Sequence, residues 1–352
     1  MLAAHGPKHM TRMTDHSTQA EPPATETPLL SVRDLRTWYP VRRGVFQRVA
    51  NHVKAVDCVS FDLPVRKTLA LVGESGCGKT TVGKSLLRLV QPTSGTVRYA
   101  GKDLTALPHE ELRPLRRELQ IVFQDPYSSL NPRQTVRDIV REGLDAHRLG
   151  TKRERDDRAT EMVRRVGLPK DAMGRYPHEF SGGQRQRIGI ARALAVQPNF
   201  VVCDEPISAL DVSIQAQILN LLRELQEDFG LTYLFITHDL SVVEYLADEV
   251  AVMYLGKIVE RAPAGELFDT PLHPYTKVLL SSVPRLRLGD RRDRIVLTGD
   301  VPSPIDPPSG CSFHPRCPMA EEQCPRQEPE LLELATGHFV KCLVAQREAG
   351  AA

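Results

Sequence analysis

The stretch Gly73-Glu74-Ser75-Gly76-Cys77-Gly78-Lys79-Thr80 constrains this chain more than any other. It fits G-x-x-x-x-G-K-[ST], a phosphate-binding loop, or P-loop. The context agrees. Leu69-Ala70-Leu71-Val72 reads as a short buried strand, and residues 81–90 read as a helix with Leu86, Leu87 and Val90 on one face. The glycines let the loop bend so that successive backbone N–H groups point at a polyphosphate. The helix N-terminus adds partial positive charge. Lys79 at this position reaches the β- and γ-phosphates, and the Thr80 hydroxyl ligates Mg²⁺. Gly73, Ser75, Gly76, Cys77, Gly78 and Thr81 complete the expected nucleotide cradle.

Composition narrows the setting. A chain of 352 residues with 41% hydrophobic content has room for more than one domain. The 46 basic and 44 acidic side chains leave a net charge of +2, so no global field favours nucleic acid. No apolar run approaches the roughly 18 residues of a membrane span, and the first residues lack a signal-type apolar core. The expectation is a cytosolic chain. Residues 1–28, rich in Thr, Pro, Ala, Glu and His, read as a disordered tail.

Residues 29–63 alternate as antiparallel strands, with an Arg-rich insertion at 41–52. Tyr39, ahead of Trp38, is the aromatic expected to stack on an adenine; the alternative is a ring that fills the sheet edge. Leu119 to Phe123 reads as a strand ending in Gln124, whose amide can reach Mg²⁺ or an attacking water, although a lone strand-end Gln is usually structural. Residues 127–180 shift to charged helical segments, with Ile139, Val140 and Leu144, then Met162, Val163 and Val166, at helical spacing. Ser181-Gly182-Gly183-Gln184 opens a further helix, with Ser181 a good N-cap and two glycines that permit close approach of an anion.

The apolar run Phe200-Val201-Val202-Cys203 ends in Asp204-Glu205. Beside a P-loop strand, Asp204 supplies the second Mg²⁺-binding group, and Glu205 can polarise a water in line with the γ-phosphate. Another apolar strand, 231–236, ends near His238, placed to contact that phosphate. These motifs all fall at the C-terminal ends of strands, where α/β proteins bind ligands.

In this order and at these spacings, the motifs resemble those of the ATP-binding-cassette (ABC) ATPases over roughly residues 29–261. The stretches Val122-Phe123-Gln124-Asp125-Pro126-Tyr127 and His273-Pro274-Tyr275-Thr276 are similar to those of oligopeptide and dipeptide importers. The resemblance implies an α/β P-loop NTPase: a RecA-like core with an antiparallel β subdomain and an inserted α-helical subdomain near 127–185. It implies an ATPase domain over 29–265 and a small Cys-containing extension over 266–352. It further implies a head-to-tail pair of cassettes. Ser181, Gly182, Gly183, Gln184 and Asp211 of one then cap ATP and Mg²⁺ on the other. The implied partners are a second ABC ATPase subunit, two integral-membrane permease subunits and an extracytoplasmic solute-binding protein. The implied place is the cytoplasmic face of the inner membrane, and the implied work is ATP-driven peptide import. Import of nickel chelates or another small solute, and a non-transport ABC ATPase, are the alternatives.

Four cysteines near the C-terminus, Cys311, Cys317, Cys324 and Cys342, follow a Pro-rich linker at 301–308. Four thiolates suit Zn²⁺ or an iron–sulfur cluster, and the C-x5-C-x6-C-x17-C spacing does not choose between them. The resemblance favours a [4Fe–4S] cluster; free thiols or disulfides also fit. Cys58, Cys77 and Cys203 read as small apolar fillers.

Overall fold

The computed structural model describes residues 28–44, 46–282, 295, 297 and 299–350. The tail expected over 1–28 therefore lies almost wholly outside the described residues. In chain order the elements are β1 (Leu30–Arg43), β2 (Arg48–Leu63), β3 (Thr68–Val72), α1 (Lys79–Leu86), β4 (Ser94–Tyr99), β5 (Lys102–Asp103), α2 (His109–Leu115) and β6 (Leu119–Val122). Next come α3 (Val136–Ala146), α4 (Lys152–Arg165), α5 (Gly182–Leu194), β7 (Phe200–Asp204), α6 (Val212–Phe229), β8 (Thr232–Thr237) and α7 (Leu240–Leu246). The remainder are β9 (Glu249–Tyr254), β10 (Lys257–Pro263), α8 (Ala264–Asp269), α9 (Pro274–Ser281), β11 (Leu332–Ala335), β12 (His338–Val340) and α10 (Leu343–Glu348).

Two sheets form. The smaller is antiparallel, in the order β2-β1-β4-β5; the larger runs β11-β12-β10-β9-β3-β8-β7-β6. Strands β9, β3, β8, β7 and β6 are parallel to their neighbours in that run. Strands β3, β7 and β8 are buried at every position. That is why their sequences read as continuous apolar runs rather than alternations. One core lies between the antiparallel sheet and the larger one, around Val32, Phe61, Leu71, Val82 and Ile236. A second packs α3, α4, α5 and α6 on the opposite face, through Ile139, Leu144, Met162, Val163 and Ile188. Helical spacing had marked the apolar residues of α3 and α4. Thr135 and Thr151 cap these helices through Asp138 N and Glu154 N, which fixes where each begins.

Several expectations shift. The Arg-rich segment is no separate insertion: β1 and β2 continue through it, with Val41 opposite Asn51 and Arg43 opposite Arg48. The helix after the P-loop starts at Lys79 and stops at Leu86, because Arg88 turns to a positive φ of 52°. Cys58 is not a filler. It is exposed, takes φ 63°, and its thiol donates to Asp34 Oδ1 at 3.2 Å. It lies where the β1–β2 register slips between Val59 and Val56. Cys77 and Cys203 are buried as expected. The Pro-rich segment lies against β2, where Lys54 N donates to Pro304 O at 3.0 Å.

The C-terminal segment is built into the larger sheet. Strand β12 pairs with β10, Glu260 opposite Val340. The Glu260 side chain is fully buried, and its oxygens accept from Leu272 N at 2.7 Å and His273 N at 3.0 Å and pair with His338 Nε2 at 2.7 Å. His273 in turn accepts from Tyr275 N at 3.0 Å through Nδ1, capping α9. Burial holds the His273 imidazole down to about 4.

Replacing Glu260 by Ala strands these donors inside the protein and should cost about 3 kcal/mol, read by denaturant unfolding. The His273 ring is neutral when folded, so the unfolded chain binds the extra proton below its ordinary 6.5. Its contribution is full above pH 6.5 and is lost as pH falls towards 4. His273→Asn, which keeps an N-cap acceptor, should flatten the pH dependence of unfolding in that window.

Candidate functional site

The parallel register sets the site. Val72 lies opposite Thr237, Asp204 opposite Ile236, and Val122 opposite Cys203, so four strands end at one level. Just beyond these ends lies an open cavity of about 750 Å³. Ser75, Gly76, Gly78, Lys79, Thr80 and Thr81 form one wall, and Gln124, Glu205 and His238 face them.

The loop wraps tightly. Gly78 has φ +107°, and a Cβ there would sit 2.0 Å from Ala55 O. Gly76 has φ +80° but opens on free space. Lys79 is 4% exposed, and its Nζ donates to Gly73 O at 2.9 Å and Glu74 O at 3.0 Å. An ammonium has three protons, and a longer contact to Cys77 Sγ at 3.8 Å joins these two bonds in holding it in the loop. Gly73 and Cys77 stand behind the loop and do not line the cavity.

Opposite the loop, the Thr80 hydroxyl donates to Asp204 Oδ1 at 2.8 Å. Burial raises the Asp204 pKa; the Thr80 bond and the ammonium groups of Lys84 and Lys79 act against that rise, while Glu205 adds to it. A buried carboxylate beside a hydroxyl is a hard-oxygen pair that fits Mg²⁺. Glu205 adopts φ 45°, a left-handed backbone that costs a non-glycine residue about 1–3 kcal/mol. One of its oxygens, Oε2, accepts from Gln124 Nε2 at 2.8 Å, and the other, Oε1, is 3.4 Å from His238 Nδ1. The Glu205 side chain is 13% exposed and that of His238 55%, so the histidine faces the opening.

Other expected site residues lie elsewhere. Tyr39 is 38% exposed on β1, and neither it nor Trp38 lines the cavity. Ser181, Gly182, Gly183, Gln184 and Asp211 are also outside its walls. Ser181 caps α5 in a reciprocal pair with Gln184, and Gly183 packs so closely on Ile214 that a Cβ would meet it at 2.5 Å. Asp211 stands at the N-cap position of α6, makes no side-chain capping bond there and is exposed.

Sequence reasoning missed Ala55, Asp125, Ser208 and Ala209 on the cavity wall. It also missed Gln186. This side chain, 2% exposed on α5, donates to Phe123 O at 3.5 Å, one residue before Gln124. Its place in the second turn of the helix carried no motif signal; only packing reveals it.

The four C-terminal cysteines share one neighbourhood. Cys311 N donates to Cys324 O at 2.8 Å, and Cys311 packs on the cluster formed by Cys324, Val340 and Cys342. All four are free thiols. Burial pushes the Cys317 thiol up to about 11 and raises those of Cys311 and Cys342. Among the described residues, no three His, Cys, Asp or Glu side chains are arranged to hold a metal ion. The four-thiolate centre expected from the sequence therefore has no support in this geometry: the thiols lie near one another without forming a ligating group among the described residues.

A family model described as ABC transporter matches residues 56–208, and another, the oligopeptide/dipeptide transporter C-terminal region, matches 259–324. Oligopeptide transport ATP-binding protein AppF of Bacillus subtilis is 55% identical, over 91% of this chain and 98% of its own length. Dipeptide transport ATP-binding protein DppF of Haemophilus influenzae is 50% identical, over 90% of this chain and 96% of its own. Among solved structures, the dimeric post-hydrolysis state of the ATP-binding cassette MJ0796 bound to ADP and Pi superposes with a TM-score of 0.60. It is 28% identical and covers 67% of this chain and 98% of its own. The chain belongs to the ABC transporter ATPase family and carries that family's oligopeptide/dipeptide C-terminal region.

The loop geometry ranks its glycines. Gly78→Ala should destabilise by at least about 2 kcal/mol, since strain adds to a backbone clash, and Gly76→Ala by about 1 kcal/mol from backbone strain alone. Denaturant titration of the two variants checks the order.

Proposed function

We propose that this chain is the ATP-binding and hydrolysing subunit of an importer for oligopeptides or dipeptides. One observation carries the chemistry: Lys79, the Thr80–Asp204 pair and the Gln124–Glu205–His238 row converge on one cavity. The peptide cargo is supported by the matched C-terminal region and by the names of the relatives AppF and DppF.

In this reading the loop's N–H groups and Lys79 bind the triphosphate. Thr80, Asp204 and Gln124 hold Mg²⁺, which neutralises charge on the phosphates. Glu205 is the general base: its backbone turn aims the carboxylate into the cavity, and Gln124 fixes one oxygen so that the other takes the water's proton. His238 contacts the γ-phosphate from the open side. Tyr39 remains the proposed adenine platform.

The open side of the cavity calls for a second cassette. The solved relative MJ0796 is dimeric, and the exposed start of α5 offers N–H donors that its own cavity does not use. Ser181, Gly182, Gly183, Gln184 and Asp211 therefore cap nucleotide across a head-to-tail pair, which excludes water and completes the charged shell. No helix among the described residues is long and apolar enough to cross a membrane. Membrane permease subunits would supply the pathway, an extracytoplasmic binding protein would deliver cargo, and this subunit would sit on the cytoplasmic face of the membrane. The division into a tail at 1–28, an ATPase domain at 29–265 and an extension at 266–352 belongs to the same proposal. So does a [4Fe–4S] cluster, or Zn²⁺, on Cys311, Cys317, Cys324 and Cys342. Its support is the resemblance in sequence, and ligation would require the thiols to close further.

Glu205→Gln should lower ATP turnover at least about 100-fold while MgATP binding persists, leaving an ATP-bound dimer visible by light scattering. Normal turnover in this variant would remove Glu205 from the role of base. Lys79→Ala should weaken ATP binding itself, measured by calorimetry. Anaerobically purified protein should absorb broadly near 400 nm if the cysteines hold iron–sulfur; a colourless protein containing no iron ends that part of the proposal.

A further inference from the structure

The second residue of the P-loop is held from behind by the cysteine-bearing tail. Glu74 turns its side chain away from the cavity and into Arg316, which lies between Cys311 and Cys317. Arg316 Nη1 donates to Glu74 Oε2 at 2.8 Å and Nη2 to Oε1 at 3.1 Å, a two-pronged pair. The Arg316 side chain is only 8% exposed. Its guanidinium lies 6.0 Å from the centre of the Tyr254 ring, which packs edge-on to Tyr275 and Phe313. Tyr275 holds the same loop residue by its backbone: Glu74 N donates to Tyr275 Oη at 2.9 Å. Lys79 Nζ bonds to Glu74 O at 3.0 Å from the cavity side. Residue 74 is thus gripped at its carboxylate, its N–H and its carbonyl.

We infer that Arg316 is a positioning residue for nucleotide binding: it neutralises the one carboxylate of the P-loop and holds it turned away from the cavity. The inference rests on the ATPase reading above. Its physical basis is simple. A carboxylate beside a bound triphosphate repels it, and little solvent separates the two to screen that repulsion. Paired face-on with a buried guanidinium, Glu74 is both neutralised and turned out of the cavity. Removing the guanidinium frees a negative side chain to swing toward the phosphates, while Tyr275 and Lys79 still hold the backbone of residue 74. The C-terminal region becomes part of the nucleotide site although none of its residues lines the cavity.

The test uses the full chain, with MgATP affinity from calorimetry. Arg316→Gln should weaken MgATP binding about fivefold to tenfold, a coupling of ordinary size. Arg316→Lys, which keeps the charge but not the fork, should recover part of the loss. Glu74→Gln in the Arg316→Gln background should restore affinity, because the unpaired carboxylate is then gone. A merely structural role would lower the unfolding midpoint without this pattern of loss and recovery. Unchanged affinity in Arg316→Gln, or no recovery in the double variant, overturns the inference. If Arg316→Gln does not fold, Glu74→Gln with Arg316→Lys decides: affinity within twofold of wild type in Glu74→Gln and a loss in Arg316→Lys support it, and equal losses in both overturn it. Failure of the wild-type chain to bind MgATP would overturn the ATPase reading itself, and is distinct from either result.

Discussion

Parallel pairing of β3, β8, β7 and β6 puts Val72, Thr237, Asp204 and Val122 at nearly one level. Each strand then releases one functional residue into the same space. Residues more than 150 positions apart, such as Thr80 and His238, reach one cavity only through this register. A slip of one strand by a single residue would reverse its side chains and empty its share of the site. The buried apolar faces of β3, β7 and β8 make such a slip costly, because each holds several fully enclosed side chains. The precision of the polar site is thus supplied by the surrounding apolar core.

Two conformationally demanding positions lie at the site. Glu205 holds a left-handed backbone immediately after the buried Asp204, and Gly78 fits a space that admits no Cβ. Neither would persist on a loose scaffold. The Glu205 turn is tied down because its N–H donates to Ile236 O at 2.9 Å and its carboxylate accepts from Gln124. Gln186 anchors Phe123 to α5, so the helical layer and the cavity wall share one backbone segment.

The C-terminal region behaves less like an appendage than its composition suggests. It adds β12 and β11 to the core sheet, encloses Glu260, and reaches the P-loop through Tyr275 and Arg316. Cys324 and Cys342 sit in a small core with Val340 and Val344, on which Cys311 packs, while Cys317 packs on the core around Tyr254 and Phe313.

The P-loop, the Asp204-Glu205 strand end, the strand-end Gln124 and the cap at Ser181 were legible in the chain because each joins a local pattern to a fixed chemistry. Spacing likewise marked the apolar faces of α3 and α4. The Arg-rich hairpin and Cys58 were misjudged, since a continued ladder and a bulge depend on what lies across the sheet rather than on neighbours in sequence. Sequence alone determined which groups could bind a polyphosphate, because loops, caps and strand ends are short-range features. Tertiary structure alone decided that Glu205 faces Gln124 and His238, and that Arg316 closes on Glu74 across 242 positions. Such contacts arise from the register of strands and the packing of cores, and no local pattern of residues encodes them.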